Sequence, residues 1–441
     1  MINNINMNNN IHQILYNIVF RYLNFYDKHT FQKISKYTNN IHIIDLSNID
    51  KIYLDKLDDA ILKNYEHVNI LDASNNKIIT NINHMVKLTE LYADYSGIND
   101  EGIKNLTKLQ LLDARHNNKI TKIDHMTKLL VLFANGCCGI NDDTIQNLTE
   151  LKNLSASQNA RISKLDNLTN LTELSAYGPE CGIFNASIHN LTNLVKLDVG
   201  SNEKIKDLNH LIKLTFLCAS LTCGIDNIGI KNLTNLEILD VYGNKNAMDI
   251  NHMTKLKKLC AKYDCGINDE GIKKLTRLEI LNASGNKNIR NINHMTRLKK
   301  LNAPYCCGID DDGIADLFNL EILCIDFNLK INNINHMTKL KKLDISNHNI
   351  NDKEITNLTN LEVLRADRNY NLRSINFLTN LRELYAYEST LNNSEILNFT
   401  NLTSIYVSNK GDDIIKTNIE VSNDFDNPGL IAILSEFEMM F

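Results

Sequence analysis

The sequence lacks several features that would assign it to a common class. Its 441 residues include no tryptophan and only 3 prolines, and no apolar run is long enough to cross a bilayer. A net charge of −5 gives no basic excess for nucleic acid. The start, Met1 to Asn6, lacks the basic and apolar regions of a signal peptide. We therefore expect a cytoplasmic protein that binds neither nucleic acid nor membrane.

The most prominent feature of the sequence is a repeated unit of about 20 residues. The pattern Leu-x-x-Leu-x-Ala recurs from residue 68 at spacings that alternate between 20 and 21 to 23 residues, so the period is a pair of about 42. Within one unit, Leu259 and Ala261 are two residues apart and share one face of a short strand, whereas Lys258 and Cys260 take the other face. Twenty residues are too few for two helices, and no single unit can bury its leucines, so stacked units must supply the core.

Both unit types resemble leucine-rich repeats, and the resemblance covers about residues 41–410. It implies an α/β solenoid: a curved parallel β-sheet with short helical or 3-10 return segments, in about 17 to 18 repeats. Solenoids need end caps. We expect a disordered segment 1–10, a helical segment 11–40 and a C-terminal cap 411–441, where Leu430 to Phe437 have the pattern of a short amphipathic helix. The Asn-, Ile- and Lys-rich composition is similar to that of protists and giant viruses, and for a virus the cytoplasm is the host's.

Polar residues recur at fixed positions of the repeat, and each column has a structural interpretation. A buried asparagine is predicted to satisfy the backbone where the strand of a short unit turns away. Long units carry Cys-Gly at that corner, as in the cysteine-containing repeats of F-box proteins. Cysteines that lie two coils apart, about 10 Å, cannot form disulfides with each other, so we expect structural thiols. Histidines at the same double spacing are expected to form hydrogen bonds in the return segments. We predict no metal site and no cofactor.

The N-terminal segment has helical spacing and then a break at residues 23–27. Residues 14–36 resemble an F-box, a helical module that docks on a Skp1-type adaptor of cullin ubiquitin ligases, although its opening Leu-Pro is absent. The alternative is a plain helical cap over the first coil. If the resemblance holds, it implies that the adaptor-docking residues are Ile11, Leu15, Ile18, Leu23, Phe25 and Ile34.

The concave face of the predicted sheet is the expected binding surface for a target protein, because exposed aromatic residues mark protein interfaces. The sequence contains no phosphate loop, nucleophile elbow or catalytic triad, and we predict no enzymatic activity. Two functions remain open: a substrate-recognition subunit of a ubiquitin ligase, and a plain scaffold or inhibitor that binds a cellular protein. The expected partner-binding residues are Tyr92, Tyr95, Phe133, Tyr177, Phe216, Tyr242, Lys258, Tyr263, Lys300, Tyr305, Phe327, Lys342, Tyr385 and Tyr387.

Overall fold

A computed structural model describes residues 56–391, 399 and 401–406, together with the backbone of two-residue strands at 45–46 and 420–421. The described residues fall into two compact units, divided between Asn193 and Leu194. The predicted disordered segment 1–10, the helical segment 11–40 and most of the predicted cap 411–441 lie outside the described residues.

Both units are built from very short parallel strands, each paired with the next strand along the chain. In the first unit the strands are β1 (Asp45–Leu46), β2 (Ile70–Asp72), β3 (Glu90–Tyr92), β4 (Leu111–Asp113), β5 (Val131–Phe133), β6 (Asn153–Ser155) and β7 (Glu173–Ser175).

The second unit continues the same pattern. Its strands are β8 (Lys196–Asp198), β9 (Phe216–Cys218), β10 (Ile238–Asp240), β11 (Lys258–Cys260), β12 (Ile280–Asn282), β13 (Lys300–Asn302), β14 (Ile322–Cys324), β15 (Lys342–Asp344), β16 (Val363–Arg365), β17 (Glu383–Tyr385), β18 (Ser404–Tyr406) and β19 (Glu420–Val421).

The return segments contain single helical turns, each started by an asparagine or aspartate whose side chain accepts a backbone N–H. None of the described helices is long and apolar enough to cross a membrane. The helices are α1 (Asp59–Leu62), α2 (Asp100–Ile103), α3 (Asp142–Ile145), α4 (Asn227–Ile230), α5 (Asp269–Ile272) and α6 (Asp311–Ile314), with 3-10 turns at Asn185–Ile188 and Asp352–Glu354.

The central leucine of each strand from β2 to β17 forms the core. Leu259 pairs in register with Leu281, and both side chains are completely buried, as is Ala261. Lys258 lies on the other face of the strand and stays partly exposed. The predicted alternation and the predicted parallel-strand solenoid are therefore confirmed.

Buried asparagines close the corner of the short units, as predicted. The Nδ2 amide of Asn286 donates to the carbonyl oxygens of Ala261 (2.9 Å) and Ile267 (3.3 Å) in the preceding coil. Its Oδ1 accepts the backbone N–H of Asn288 at 2.8 Å and that of Ile289 at 3.3 Å. One side chain thus satisfies backbone groups of two successive coils. The same column contains Asn117, Asn159, Asn244 and Asn328.

The corner cysteines of the long units are buried packing groups. All ten cysteines are free thiols. Burial raises the pKa of Cys265 to about 12 and that of Cys307 to about 11, so both stay protonated at neutral pH. The glycine that follows is required by space, because a Cβ on Gly266 would lie 2.5 Å from the Lys245 carbonyl oxygen of the preceding coil.

Asn-His pairs in the return segments connect each short unit to both of its neighbours. The Nε2 of His294 lies 3.0 Å from the Ile272 carbonyl oxygen at the end of α5 in the preceding coil. On the following coil, Asn293 donates to the Asp312 carbonyl oxygen at 2.7 Å and accepts from the N–H of Asp316 at 3.0 Å. The expected hydrogen-bonding role of this column extends between coils, at His84, His125, His252, His294 and His336.

Alternating charges before the strands form ion pairs between adjacent coils. Lys257 pairs with Glu237 at 2.9 Å, and Lys341 pairs with Glu321 at 3.1 Å. These four side chains are 40% to 53% exposed, so each pair contributes no more than about 0.5 kcal/mol. The alternation keeps like charges two coils apart, which is consistent with the doubled period.

His348 replaces the corner cysteine in one long unit, and it makes stability depend on pH. Its Nε2 donates to the Asn328 carbonyl oxygen at 2.7 Å, and its Nδ1 accepts the N–H groups of Asn349 and Ile350. Burial lowers the pKa of His348 from 6.5, so the unfolded chain binds a proton more readily than the folded chain. Stability should therefore fall as the pH drops below about 6.5.

We expect His348→Gln, which keeps a donor and an acceptor, to remove this component of the pH dependence. Urea denaturation of both proteins at several pH values measures it. If the free energy of unfolding had the same pH dependence in wild type and variant, His348 would not be held neutral by the fold.

Candidate binding surface

The open face of the sheet, opposite the leucine core, contains four rows of side chains. The first and third residues of each strand form two rows, the position two residues after the strand forms the third, and the following turn residue forms the fourth. The structure places the predicted partner-binding residues as follows: Phe216, Lys258, Lys300 and Lys342 in the first row; Tyr92, Phe133 and Tyr385 in the second; Tyr177, Tyr242 and Tyr387 in the third; Tyr95, Tyr263, Tyr305 and Phe327 in the fourth.

The turn row has an unusual backbone conformation. Tyr263, Tyr305 and Phe327, here called the turn aromatics, have φ angles of 53°, 63° and 55°. This left-handed region is disfavoured for bulky residues and suits Gly or Asn. Equivalent turns of the second unit contain Gly243, Gly285 and Asn347 but also Ser201, Leu221, Arg368 and Glu388, so the left-handed turn is a feature of the repeat. The turn aromatics are nevertheless 47%, 46% and 51% exposed, so the leucine core does not hold them in place.

Aromatic rings of adjacent coils form contact pairs at the turn row. In the second unit Tyr305 stacks on Phe327, with ring centroids 6.5 Å apart, and Tyr242 packs at 5.6 Å from Tyr263. A Cβ on Gly285 would lie 2.9 Å from the Tyr263 ring, so that glycine leaves room for the tyrosine of the preceding coil. In the first unit, the Tyr95 ring stacks on that of His116 at 4.4 Å.

The first two rows behave differently from the turn row over β11–β17. Ile322, Cys324, Val363 and Tyr385 form a buried apolar cluster on the open face. Tyr385 is only 3% exposed and stacks on Tyr406 at 4.6 Å, so this predicted residue packs within the protein. The first row alternates lysine with aliphatic residues.

Polar residues in the second row were absent from the sequence-based prediction. Asn282 and Asn302 are paired in register and are 0% and 6% exposed. The Nδ2 of Asn282 and the Oδ1 of Asn302 have no hydrogen-bond partner among the described residues. Nearby, burial raises the pKa of Asp326 to about 6. These second-row asparagines can be recognised in the sequence as the polar residue between the inward leucine and the inward alanine of a unit.

The six predicted adaptor-docking residues, Ile11 to Ile34, lie outside the described residues. Within the described part of the chain, no three His, Cys, Asp or Glu side chains come together in a way that could hold a metal ion.

Comparisons with known proteins bear on the fold. No family model matches the sequence, and no curated protein matches it. Among solved structures, a leucine-rich-repeat protein of Leptospira interrogans superposes with a TM-score of 0.50 at 21% identity, over 86% of this chain and 96% of that one. The chain has the leucine-rich-repeat fold.

Two Listeria monocytogenes structures are also similar to this leucine-rich-repeat chain. An internalin has a TM-score of 0.41 and 20% identity over 81% of this chain and 92% of its own. A functional domain of InlJ has a TM-score of 0.45 and 22% identity over 74% of this chain and 70% of its own. At these identities the likeness concerns the fold, and the function must be argued from the surface.

Proposed function

We propose that this leucine-rich-repeat chain is a protein-binding scaffold whose turn aromatics anchor the partner. The observation that carries the proposal is that Tyr263, Tyr305 and Phe327 place large aromatic rings, 46–51% exposed, at the same turn position on the open face of the sheet. The fold itself gains little from aromatics there.

Exposed aromatic rings are well suited to binding a protein. Tyr is enriched at interface hot spots because it brings a large contact area with few rotatable bonds. The pair Tyr305 and Phe327 presents two stacked rings on successive coils, and Tyr242 with Tyr263 presents another pair. A protein partner with apolar anchors fits this surface.

Site-specific photocrosslinking tests the proposal in the native cell. Benzoylphenylalanine is placed at Phe327 or, as the matched control, at Phe318, which is 54% exposed but lies in a return segment. We expect a defined crosslinked protein from position 327 and none of that species from position 318. Equal crosslinking from both positions would contradict a specific site on the open face.

We further propose that the scaffold is the substrate-recognition subunit of a cullin-type ubiquitin ligase. The F-box resemblance of residues 14–36 supports this finer assignment. Two binding surfaces on one chain raise the effective concentration of the target near the ligase. The plain scaffold or inhibitor, with residues 11–40 as a cap only, is the alternative.

Mutation of the N-terminal segment separates these two functions. We expect wild-type protein to capture a Skp1-type adaptor in a pull-down, and Leu15→Lys with Ile18→Lys to reduce capture by about tenfold or more, since buried charges cost several kcal/mol. Circular dichroism of the repeats should not change. Absence of capture by the wild type removes the ubiquitin role and leaves the scaffold function in place.

A further inference from the structure

The open face of the first unit carries an excess of negative charge. Over β2–β5 its four rows contain one arginine, no lysine and the carboxylates of Asp72, Glu90, Asp94 and Asp113. The first row of the second unit instead contains lysines, among them Lys258, Lys300 and Lys342. The repeat itself therefore does not require the excess. A negative surface attracts a cationic partner and repels nucleic acid.

Two cations of the chain itself already lie over aromatic rings of this face. The guanidinium carbon of Arg115 is 5.6 Å from the centroid of the Phe133 ring, and its Nη2 donates to Asp113 Oδ2 at 2.6 Å. The ammonium of Lys77 is 5.6 Å from the centroid of the Tyr95 ring. A ring face and a carboxylate both attract a cation. These contacts show that the face accommodates arginine and lysine side chains.

A third ring of this face, that of Tyr92, lies among carboxylates. Tyr92 is paired in register with Asp72 of β2 and Asp113 of β4, and its hydroxyl donates to Glu90 Oε2 at 3.2 Å. Burial, together with these three negative charges, raises the pKa of Tyr92. Asp72 accepts the backbone N–H of Ser74 at 2.9 Å. Among the described residues, no lysine or arginine pairs with Asp72 or Glu90.

We propose that Tyr92, Asp72 and Glu90, here called the acidic surface, bind a basic segment of a protein partner through an arginine or lysine side chain. The cation lies over the Tyr92 ring, and the two partly exposed carboxylates accept its N–H groups. A metal ion needs several ligands within about 2.5 Å of one point. No three His, Cys, Asp or Glu side chains in the described part of the chain are arranged in that way. The acidic surface adds a second site to the proposed scaffold and shares no residue with the turn aromatics.

Fluorescence anisotropy of the full chain with a labelled oligo-arginine peptide tests the acidic surface. A labelled oligo-glutamate peptide of the same length is the control. We expect saturable binding of the oligo-arginine peptide alone, which weakens as the salt concentration rises because added ions screen exposed charges. If the wild type bound neither peptide, or bound both equally, the proposal would be wrong.

Asp72→Asn with Glu90→Gln removes both charges but keeps acceptors for the Ser74 N–H and the Tyr92 hydroxyl. We expect this variant to bind the oligo-arginine peptide about tenfold more weakly, a difference of ~1.4 kcal/mol. Glu101→Gln with Asp124→Asn is the matched control, because it removes the same charge from exposed side chains of the return segments. Its affinity should stay within about twofold of the wild type. Equal weakening in both variants would show that only the net charge attracts the peptide, and would overturn the proposal.

Substitutions of Tyr92 keep the test decisive if the neutralised variant loses its fold. Tyr92→Phe retains the ring and should bind the oligo-arginine peptide no more weakly than the wild type does. Tyr92→Leu removes the ring and should weaken binding by about threefold or more. Equal affinities of these two variants would contradict a cation over the ring. Replacing the turn aromatics Tyr263, Tyr305 and Phe327 by asparagine should leave the peptide affinity unchanged, so failure of this proposal can be distinguished from failure of the proposed function.

Discussion

Replacing Asn286 by alanine is expected to lower the free energy of unfolding by about 3 kcal/mol or more. The side chain is completely buried and bonds to the carbonyl oxygens of Ala261 and Ile267. It also accepts the N–H groups of Asn288 and Ile289. Alanine leaves these groups buried without that partner, and each unsatisfied group costs about 1–3 kcal/mol. Urea denaturation followed by circular dichroism measures the loss.

Asn319→Ala is the matched control, because it removes the same amide from an exposed site. The Asn319 side chain donates to the Thr296 carbonyl oxygen at 2.9 Å and accepts from the Lys339 Nζ at 2.6 Å, and both bonds are exposed, so water can replace them. We expect a change of no more than about 0.5 kcal/mol. If both variants lost the same stability, the buried column would not be the element that joins the coils.

Removing the three turn aromatics is expected to abolish partner binding without unfolding the protein. In the variant Tyr263→Asn, Tyr305→Asn and Phe327→Asn, each turn gains a residue that already occupies the same left-handed turn at Asn75 and Asn347. Truncating a hot-spot residue costs at least about 2 kcal/mol of binding energy, so three should weaken binding by more than about a hundredfold. Calorimetric titration with the protein crosslinked at position 327 measures the affinity.

Exposed aromatics outside the open face provide the control for this variant. Phe318 and Tyr370 are 54% and 60% exposed, and both lie beyond the turn row in their coils. We expect Phe318→Asn with Tyr370→Asn to leave the affinity within about twofold, a difference of ~0.4 kcal/mol. An equal loss in both variants would indicate general surface hydrophobicity instead of a defined site.

The periodic part of the structure could be predicted from the sequence because each element depends on contacts with its neighbours in adjacent coils. The register of Leu259 with Leu281, the Asn286 corner and the pairing of Lys341 with Glu321 all follow from residues that recur at constant spacing. In such a solenoid each residue contacts the equivalent residue of the adjacent coil, so the spacing in the sequence also predicts the contact.

The details of the binding surface could not be predicted in the same way. The spacing placed Tyr263, Tyr305 and Phe327 near the sheet face, but the left-handed backbone of that turn appears only in the structure. Tyr385 has the same residue type as Tyr305 but is buried against Tyr406. Burial of Tyr385 depends on its contact with a residue of the next coil, and the pattern within one repeat does not contain that information.

Hydroxyl-radical footprinting of the protein with and without its crosslinked partner tests the binding site most directly, because oxidation reports the exposure of each aromatic ring. We predict that partner binding lowers oxidation of Tyr263, Tyr305 and Phe327 and leaves Phe184 and Phe318 of the return segments unchanged. Protection of the return-segment rings, with the turn aromatics oxidised as in the free protein, would contradict a binding site on the open face of the sheet.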